Sequence, residues 1–367
     1  MAVSDANGAD GSTVAQIDAD STGVSAARTS DGSAHRDGGM QAVVHTRYGP
    51  PETLELREVD RPVPDADEVL VRVRVASVNA ADWHVMRGTP FLVRLMGYGI
   101  RRPKHAGFGA DVAGEVEAVG SGVDAFEPGD VVFGDLSGSG RGSFAEYVCA
   151  SEDALVAIPD GVSVEEAAAT PLAAVTALQG LRDTGELREG DGEGDRVLVN
   201  GASGGVGTFA VQIAKAYGAE VTGVCRTEKV DAVRSIGADH VVDYTEENYA
   251  DTGDRYDLVL DAGAHQSVFA SRRALAPGGR YVMVGGRLGP TLQAMALGPV
   301  LSRVGNGRVV SLIAAPNRAD LETVAALLES GDVVPVVDRR FTLEEVPEAV
   351  AYLESGRATG KVVVTVE

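Results

Sequence analysis

The sequence predicts an α/β protein: a mostly-β first region, then a doubly wound parallel sheet. Three observations carry this. Short alternating strands and turns fill the chain from 40 to about 165. From Arg196 the pattern changes to strands alternating with helices of about ten residues, the signature of βαβ units. The first of those strands runs into a glycine-rich loop and then a helix, Val197-Leu-Val-Asn200-Gly201-Ala202-Ser203-Gly204-Gly205-Val206-Gly207.

In chain order, residues 1–39 hold Gly, Ser, Ala, Thr and Asp but no leucine and no aromatic residue. Such a segment buries too little apolar surface to offset its chain entropy, so a disordered acidic tail is expected. Met40 to His45 reads as a strand, and Met40 is a candidate start codon. Glu68 to Val78 sets Val69, Val71, Val73 and Val75 against Arg72 and Arg74, a half-exposed strand. Strands follow at 111–119 and 130–133, the second entered through the turn Glu127-Pro-Gly-Asp130. A strand at 143–148 and an Ala-rich helix at 165–181 close this region. The second region reads as strands 196–200, 220–225, 240–244, 256–261, 280–284 and 308–314, with helices 204–218, 228–237 and 267–275. Helices 319–330 and 344–355 and strands 333–337 and 361–366 look like a return to the first region. The expected division is a tail 1–39, a first domain 40–165, a cofactor domain 166–316 and a return segment 317–367.

The chain has 367 residues, 44% hydrophobic and 23% charged, which is enough apolar material for a large core. It carries 54 acidic against 32 basic residues, a net charge of -22. That excludes a nucleic-acid partner, which needs Lys and Arg for phosphate, and argues against anionic membranes. Lys104, Lys215, Lys229 and Lys361 are the only lysines. Few lysines with excess acid resemble proteins of salt-loving organisms; a GC-rich genome is the alternative source of the Arg bias but leaves the acidity unexplained. Cys149 and Cys225 are too few for a disulfide framework or a four-cysteine zinc site. The uncharged stretch Leu288 to Ser302 is short and interrupted by Gly and Pro, so no membrane span is expected. No signal-peptide pattern opens the chain, and a cytoplasmic location is expected.

The glycine loop follows an apolar strand and opens an amphipathic helix, the context of a dinucleotide site. Glycines let the backbone approach a pyrophosphate, whose charge rests on the helix N-terminus. Ala202 stands where the common pattern has its first glycine. At the end of the second strand, where NAD enzymes place an acid for the ribose, the chain reads Cys225-Arg226-Thr-Glu228-Lys229. Arg226 and Lys229 suit a 2′-phosphate, which points to NADPH; Glu228 leaves NAD open. Tyr244 either faces the adenine or is a surface tyrosine.

The stretch from 40 to the end resembles the medium-chain dehydrogenases/reductases, in their zinc-independent quinone oxidoreductase and enoyl reductase-like branch. The residues that carry this are Gly109-Ala-Asp-Val-Ala-Gly114, Glu117-Ala-Val-Gly120, Pro128-Gly-Asp-Val-Val-Phe133-Gly134 and Phe144-Ala-Glu-Tyr147. Ala167-Ala-Ala-Thr-Pro171, Thr176-Ala-Leu178 and the loop Gly201–Gly207 join them. The resemblance implies a GroES-like catalytic domain, a Rossmann domain, nicotinamide in the cleft between them and a homodimer formed through the strand at 308–314. It also implies cofactor contacts from Thr176, Gly263 and Gly285. At the three positions where zinc-dependent relatives place ligands, this chain has Asn79, Ala110 and Leu172. Ala and Leu cannot ligate a metal and Asn is a poor zinc ligand, so no metal is expected.

The zinc-free branch has an Asn-x-x-Asp motif here, matched by Asn79-Ala-Ala-Asp82-Trp83-His84. By resemblance Asn79 donates its amide to the substrate oxygen or the nicotinamide ribose, and Asp82 orients the loop. His84 either takes part in proton transfer or is a polar residue at the cleft edge; Trp83 reads as wall or core. The implied function is reduction of quinones or α,β-unsaturated carbonyls by NADPH. The alternatives are an NADPH-binding protein with a structural or regulatory role and a module like the enoyl reductases of polyketide synthases.

Overall fold

The computed structural model describes residues 38–188, 194–286, 288–303 and 307–366. The tail expected at 1–39 lies outside the described residues except for Gly38 and Gly39. Strand β1 (Gly39–Val44) pairs antiparallel with β2 (Glu55–Asp60). Strand β3 (Glu68–Val78) buries Val69, Val71 and Val73 and leaves Arg74 exposed, as its alternation predicts. Strands β4 (Asp111–Val119), β5 (Val131–Asp135), β6 (Tyr147–Ser151) and β7 (Leu155–Ala157) build on it. The strand expected at 143–148 starts only at Tyr147. The preceding backbone bonds instead to β1 through Phe144 with Val43 and Glu146 with Gln41, to the 108–109 segment through Ser143 and Phe144, and to β3 through Glu146 with Val73.

The helix expected at 165–181 is broken into Val164–Ala168 and Pro171–Leu178. Pro171 has no N–H to give to the first helix and opens the second, where none is needed. Ser163 caps the first piece: its Oγ accepts from Glu166 N at 3.2 Å while the Glu166 carboxylate accepts from Ser163 N at 2.9 Å.

Strands β8 (Arg196–Asn200), β9 (Glu220–Cys225), β10 (His240–Asp243), β11 (Tyr256–Asp261), β12 (Leu275–Met283) and β13 (Arg308–Ser311) form a parallel sheet in the order β10-β9-β8-β11-β12-β13. The chain leaves β8 to one side for β9 and later returns to its other side for β11. The carboxyl ends of β8 and β11 therefore flank a topological switch point, where such sheets open a ligand crevice. Strand β12 starts five residues before the expected 280. Residues 288–301 form a helix, which the Gly and Pro content of that stretch concealed. Strands β14 (Val337–Thr342) and β15 (Lys361–Thr365) return to the first sheet. β14 begins where the expected strand 333–337 ended. β15 pairs antiparallel with β3 and parallel with β14, which gives a seven-stranded sheet ordered β14-β15-β3-β4-β5-β7 with β6 beside β3. One apolar core, with Val71, Phe144 and Val362, fills the first sheet; another, with Phe209, Val199 and Leu178, packs helices on the parallel sheet.

Candidate active site

β8 ends at the switch point and Gly201 turns the chain with φ +84°, a conformation that favours glycine. The helix Gly205–Ala216 then starts at the loop, and a Cβ on Gly207 would lie 2.1 Å from the Gly201 carbonyl oxygen. The loop is thus close-packed by glycines, with the first N–H groups of a twelve-residue helix at its mouth. Gly204, Gly205, Val206, Gly207, Thr176 and Gly285 border a cleft of about 390 Å³. This is the cradle a dinucleotide needs. Ala202, Ser203 and Gly263 shape the loop from behind instead. Ala202 is buried against Gly223, the Ser203 carbonyl accepts from Gly360 N at 2.9 Å, and Gly263 backs onto Gly201. Beneath the loop Asp261 accepts from Asn200 Nδ2 at 2.7 Å and Tyr281 Oη at 2.6 Å, tying β8, β11 and β12 together. Burial pushes the Asp261 carboxyl up to about 6.

Of the two cations expected at a 2′-phosphate, Arg226 follows β9 and its Nε donates to Tyr244 Oη at 3.1 Å. Tyr244 borders a separate cavity of about 420 Å³ at the ends of β8 and β9, with Asn200 and His265. Lys229 is engaged elsewhere: its ammonium donates to the Ala358 carbonyl, and burial first, then the charge of Arg226, lowers its pKa.

On the other wall of the cleft stands a buried polar cluster that strand register assembles. β15 pairs Val362 with Val78, which sets Lys361 beside Asn79; β4 pairs Asp111 with Ser77. Lys361 Nζ donates to Asn79 Oδ1 at 2.5 Å and Asp111 Oδ2 at 3.2 Å. Asn79 Nδ2 and Ser77 Oγ donate to the same Asp111 oxygen at 2.9 and 2.6 Å, and Leu172 N to its other oxygen at 2.9 Å. A Cβ on Gly205 would come 3.3 Å from Lys361 Cδ, so the lysine stem runs directly against the glycine loop. Sequence alone does not single out Lys361. Its signal was slight: one of four lysines, opening an otherwise apolar strand.

Asp82 Oδ2 accepts Asn79 N–H at 2.7 Å, which fixes the start of the helix Ala80–Arg87 and aims Asn79 at the cluster. Burial first, opposed by that bond and aided by the charge of Asp111, raises the Asp82 carboxyl to about 7. Asp135, opposite Asp111 across β4 and β5, is raised to about 6, first by burial and then by Asp111. His84 borders the cleft, stacked on Trp83 with ring centres 3.6 Å apart. Trp83 itself packs on the first core. His84 Nδ1 lies 2.8 Å from the Thr89 carbonyl, so Nδ1 carries the proton and Nε2 is the acceptor of the neutral ring. Burial lowers the His84 pKa, favouring that neutral form.

The three positions that bear on zinc come together around Asp111. Asn79 and Leu172 line the cleft, and Ala110 lines an adjoining cavity of about 270 Å³ that meets the cleft at Ala81. Among the described residues no group of three or more His, Cys, Asp or Glu side chains is placed to hold a metal ion. The polar centre is instead organised by a lysine ammonium.

Residues 65–160 match the alcohol dehydrogenase GroES-like domain, and residues 236–364 match the family described as zinc-binding dehydrogenase. The chain is 36% identical over 337 residues to a chloroplast envelope quinone oxidoreductase homolog of Arabidopsis thaliana, covering 89% of this chain and 98% of that protein. It is 35% identical over 364 residues to the chloroplastic NADPH-dependent alkenal/one oxidoreductase of the same plant, covering 95% and 85%. The solved structure of the quinone oxidoreductase from Coxiella burnetii superposes with a TM-score of 0.79 at 29% identity, covering 90% of this chain and all of that one.

Proposed function

The chain belongs to the medium-chain dehydrogenase/reductase superfamily, and from that premise we propose a zinc-free, NADPH-dependent reductase of quinones and α,β-unsaturated carbonyls. The observation that carries this reading is the Lys361–Asn79–Asp111 cluster facing the glycine loop across one cleft. A bound nicotinamide supplies the hydride. Hydride addition to the β-carbon of an enone moves the C=C electron pair through the carbonyl and leaves an enolate oxygen. An enolate is far less basic than an alkoxide, so hydrogen-bond donors suffice for it. Lys361 has three N–H donors and uses two; Asn79 has two and uses one. Each therefore keeps one for a substrate oxygen, and the Lys361 charge makes its bond the stronger. Asp111 and Asp82 are positioning residues. A solvent proton then reaches the α-carbon. His84, neutral with Nε2 as acceptor, fits a relay that must first take that proton. A quinone takes the hydride and a proton in the same way and leaves as hydroquinone.

Arg226 at the end of β9 supports NADPH over NADH, with Tyr244 beside it for the adenine. The identities of Ala110 and Leu172 support the absence of zinc. The homodimer reading rests on β13, the outer strand of its sheet, beside exposed Leu292, Met295, Val300 and Ile313. The domain division at 165 and 316 is supported by β15 returning to β3. Cys149 and Cys225 are free and buried, with thiols pushed up to about 12 and about 11, which suits a reducing cytoplasm. No helix among the described residues is long and apolar enough to cross a membrane. The net charge of -22 supports a saline home, and melting temperatures that rise with KCl well beyond about 0.15 M are its check.

The experiment is purified, chelator-treated protein given NADPH with a short enone, a quinone or an aldehyde, or NADP with a secondary alcohol. Reduction of enone or quinone that survives the chelator supports the reading. Activity on the alcohol alone, restored by zinc, overturns it.

A further inference from the structure

Between the first helix and β4 the chain departs from its own composition. From Gly88 to Phe108 it carries Arg94, Arg101, Arg102, Lys104 and His105 and no Asp or Glu, in a protein of net charge -22. The same segment exposes Phe91 (57%), Leu92 (47%), Leu95 (57%), Met96 (60%) and Ile100 (57%), the densest run of exposed large apolar side chains among the described residues. Such residues are ordinarily buried or scattered singly, and a contiguous patch marks an interaction surface. The segment is held in shape. Tyr48 Oη donates to the Tyr98 and Gly99 carbonyls at 2.9 and 2.5 Å, and Lys104 N to the Tyr98 carbonyl at 2.8 Å. Arg94 lies over the Tyr48 ring at 4.3 Å and donates to the Gly88 carbonyl at 2.9 Å. Its apolar side chains are thus fixed outside rather than waiting to collapse inward. Arg101, Arg102 and Lys104 make no ion pair with any described residue.

We propose that residues 91–104 form a docking surface for an anionic lipid bilayer. Apolar side chains flanked by Arg and Lys match the boundary between acyl chains and acidic headgroups. Charge complementarity favours this occupant and orients it, because the acidic remainder of the chain is repelled by the same headgroups. The segment also lines the cavity of about 270 Å³ beside the cleft, through Met96, Tyr98 and Lys104. Docking sets the mouth of that cavity on the bilayer, where apolar quinones and enones dissolve; this route rests on the reductase reading, while the docking does not.

The test is flotation of the full chain, without substrate, with vesicles of phosphatidylcholine alone or containing about 30% phosphatidylserine, in about 0.05 and 0.5 M KCl. The chain is expected to float with the phosphatidylserine vesicles and not with the neutral ones, more weakly at high salt. Two variants avoid the cavity: Arg101→Ala/Arg102→Ala and Phe91→Ser/Leu95→Ser/Ile100→Ser. Each is expected to lose about tenfold or more in binding. Unchanged circular dichroism and melting temperature at both salt concentrations show that the parent and both variants are folded. No flotation with phosphatidylserine overturns the proposal, as does flotation that both variants retain. Self-association that the variants abolish, without lipid binding, also overturns it and assigns the surface to a second copy. Reduction of a water-soluble quinone, assayed separately without vesicles, tests the reductase reading independently.

Discussion

Lys361→Met removes the cation from the buried cluster and leaves its partners in place. Lys361 and Asp111 have side chains 2% and 0% exposed, and the Nζ–Oδ2 distance is 3.2 Å. Losing one partner of such a pair costs about 3–5 kcal/mol, because a carboxylate is left in the interior without its counter-charge. Here Asp111 keeps Ser77, Asn79 and the Leu172 N–H as donors. A hydrogen bond to a charged group contributes about 1.5–3 kcal/mol, so those three hold the expected cost near the low end, about 3 kcal/mol. Asp111→Asn strands the ammonium instead, with Asn79 Oδ1 left as its acceptor. The double variant Lys361→Met/Asp111→Asn removes both charges and should cost less than the two single changes added together. The assay is equilibrium urea unfolding of the parent, both single variants and the double, read as a cycle. Coupling of about 1.5 kcal/mol or more supports the charge-paired cluster. A loss below about 1 kcal/mol for Lys361→Met, or strict additivity, would show that the charge pair does not hold the cluster together.

Asn79→Ala should lower turnover about a hundredfold, the usual cost of one oxyanion donor, with NADPH affinity nearly unchanged; an equal loss in affinity would make Asn79 a cofactor residue. Arg226→Asp should reduce the NADPH preference by about ten- to a hundredfold in titrations against NADH, and equal binding of both by the parent protein would contradict the premise. Burial raises Asp82, Asp135 and Asp261 to about 7, 6 and 6, above the ordinary 3.8 of the unfolded chain. The folded state then binds the extra protons, so their stabilising contribution is complete below about pH 4 and is lost as pH rises through about 6 to 7. Melting temperature should fall from about pH 5.5 to about pH 8, and Asp261→Asn should flatten part of the fall; a rise across this interval would contradict the assignment.

What the sequence made legible followed local physics. The apolar run 197–199 and the glycines after it announced a strand, a turn and a helix mouth, and Gly201, Gly204, Gly205 and Gly207 stand there. Asn79 and Asp82 were readable only through the motif they share with the resembled family; the structure adds the physical reason for their spacing, a helix start whose N–H is held by the carboxylate a turn away. Lys361 was not readable, since 282 residues separate it from Asn79 and only the antiparallel register of β15 on β3 joins them. The helix at 288–301 was hidden by its own Gly and Pro residues. His84 was legible as a residue at the cleft, but its tautomer depends on the Thr89 carbonyl. Net charge averages over the chain, so a sum of -22 does not register the local basic, apolar segment at 91–104.

In the proposed reaction hydride reaches the β-carbon of an enone while Asn79 and Lys361 hold the enolate oxygen. The direct measurement is the product of one reduction with NADPH carrying deuterium at the transferring position, run in ordinary water and read by NMR. Deuterium at the β-carbon, with a solvent hydrogen at the α-carbon and the carbonyl intact, is the predicted result. Deuterium on the carbonyl carbon of an allylic alcohol would contradict it.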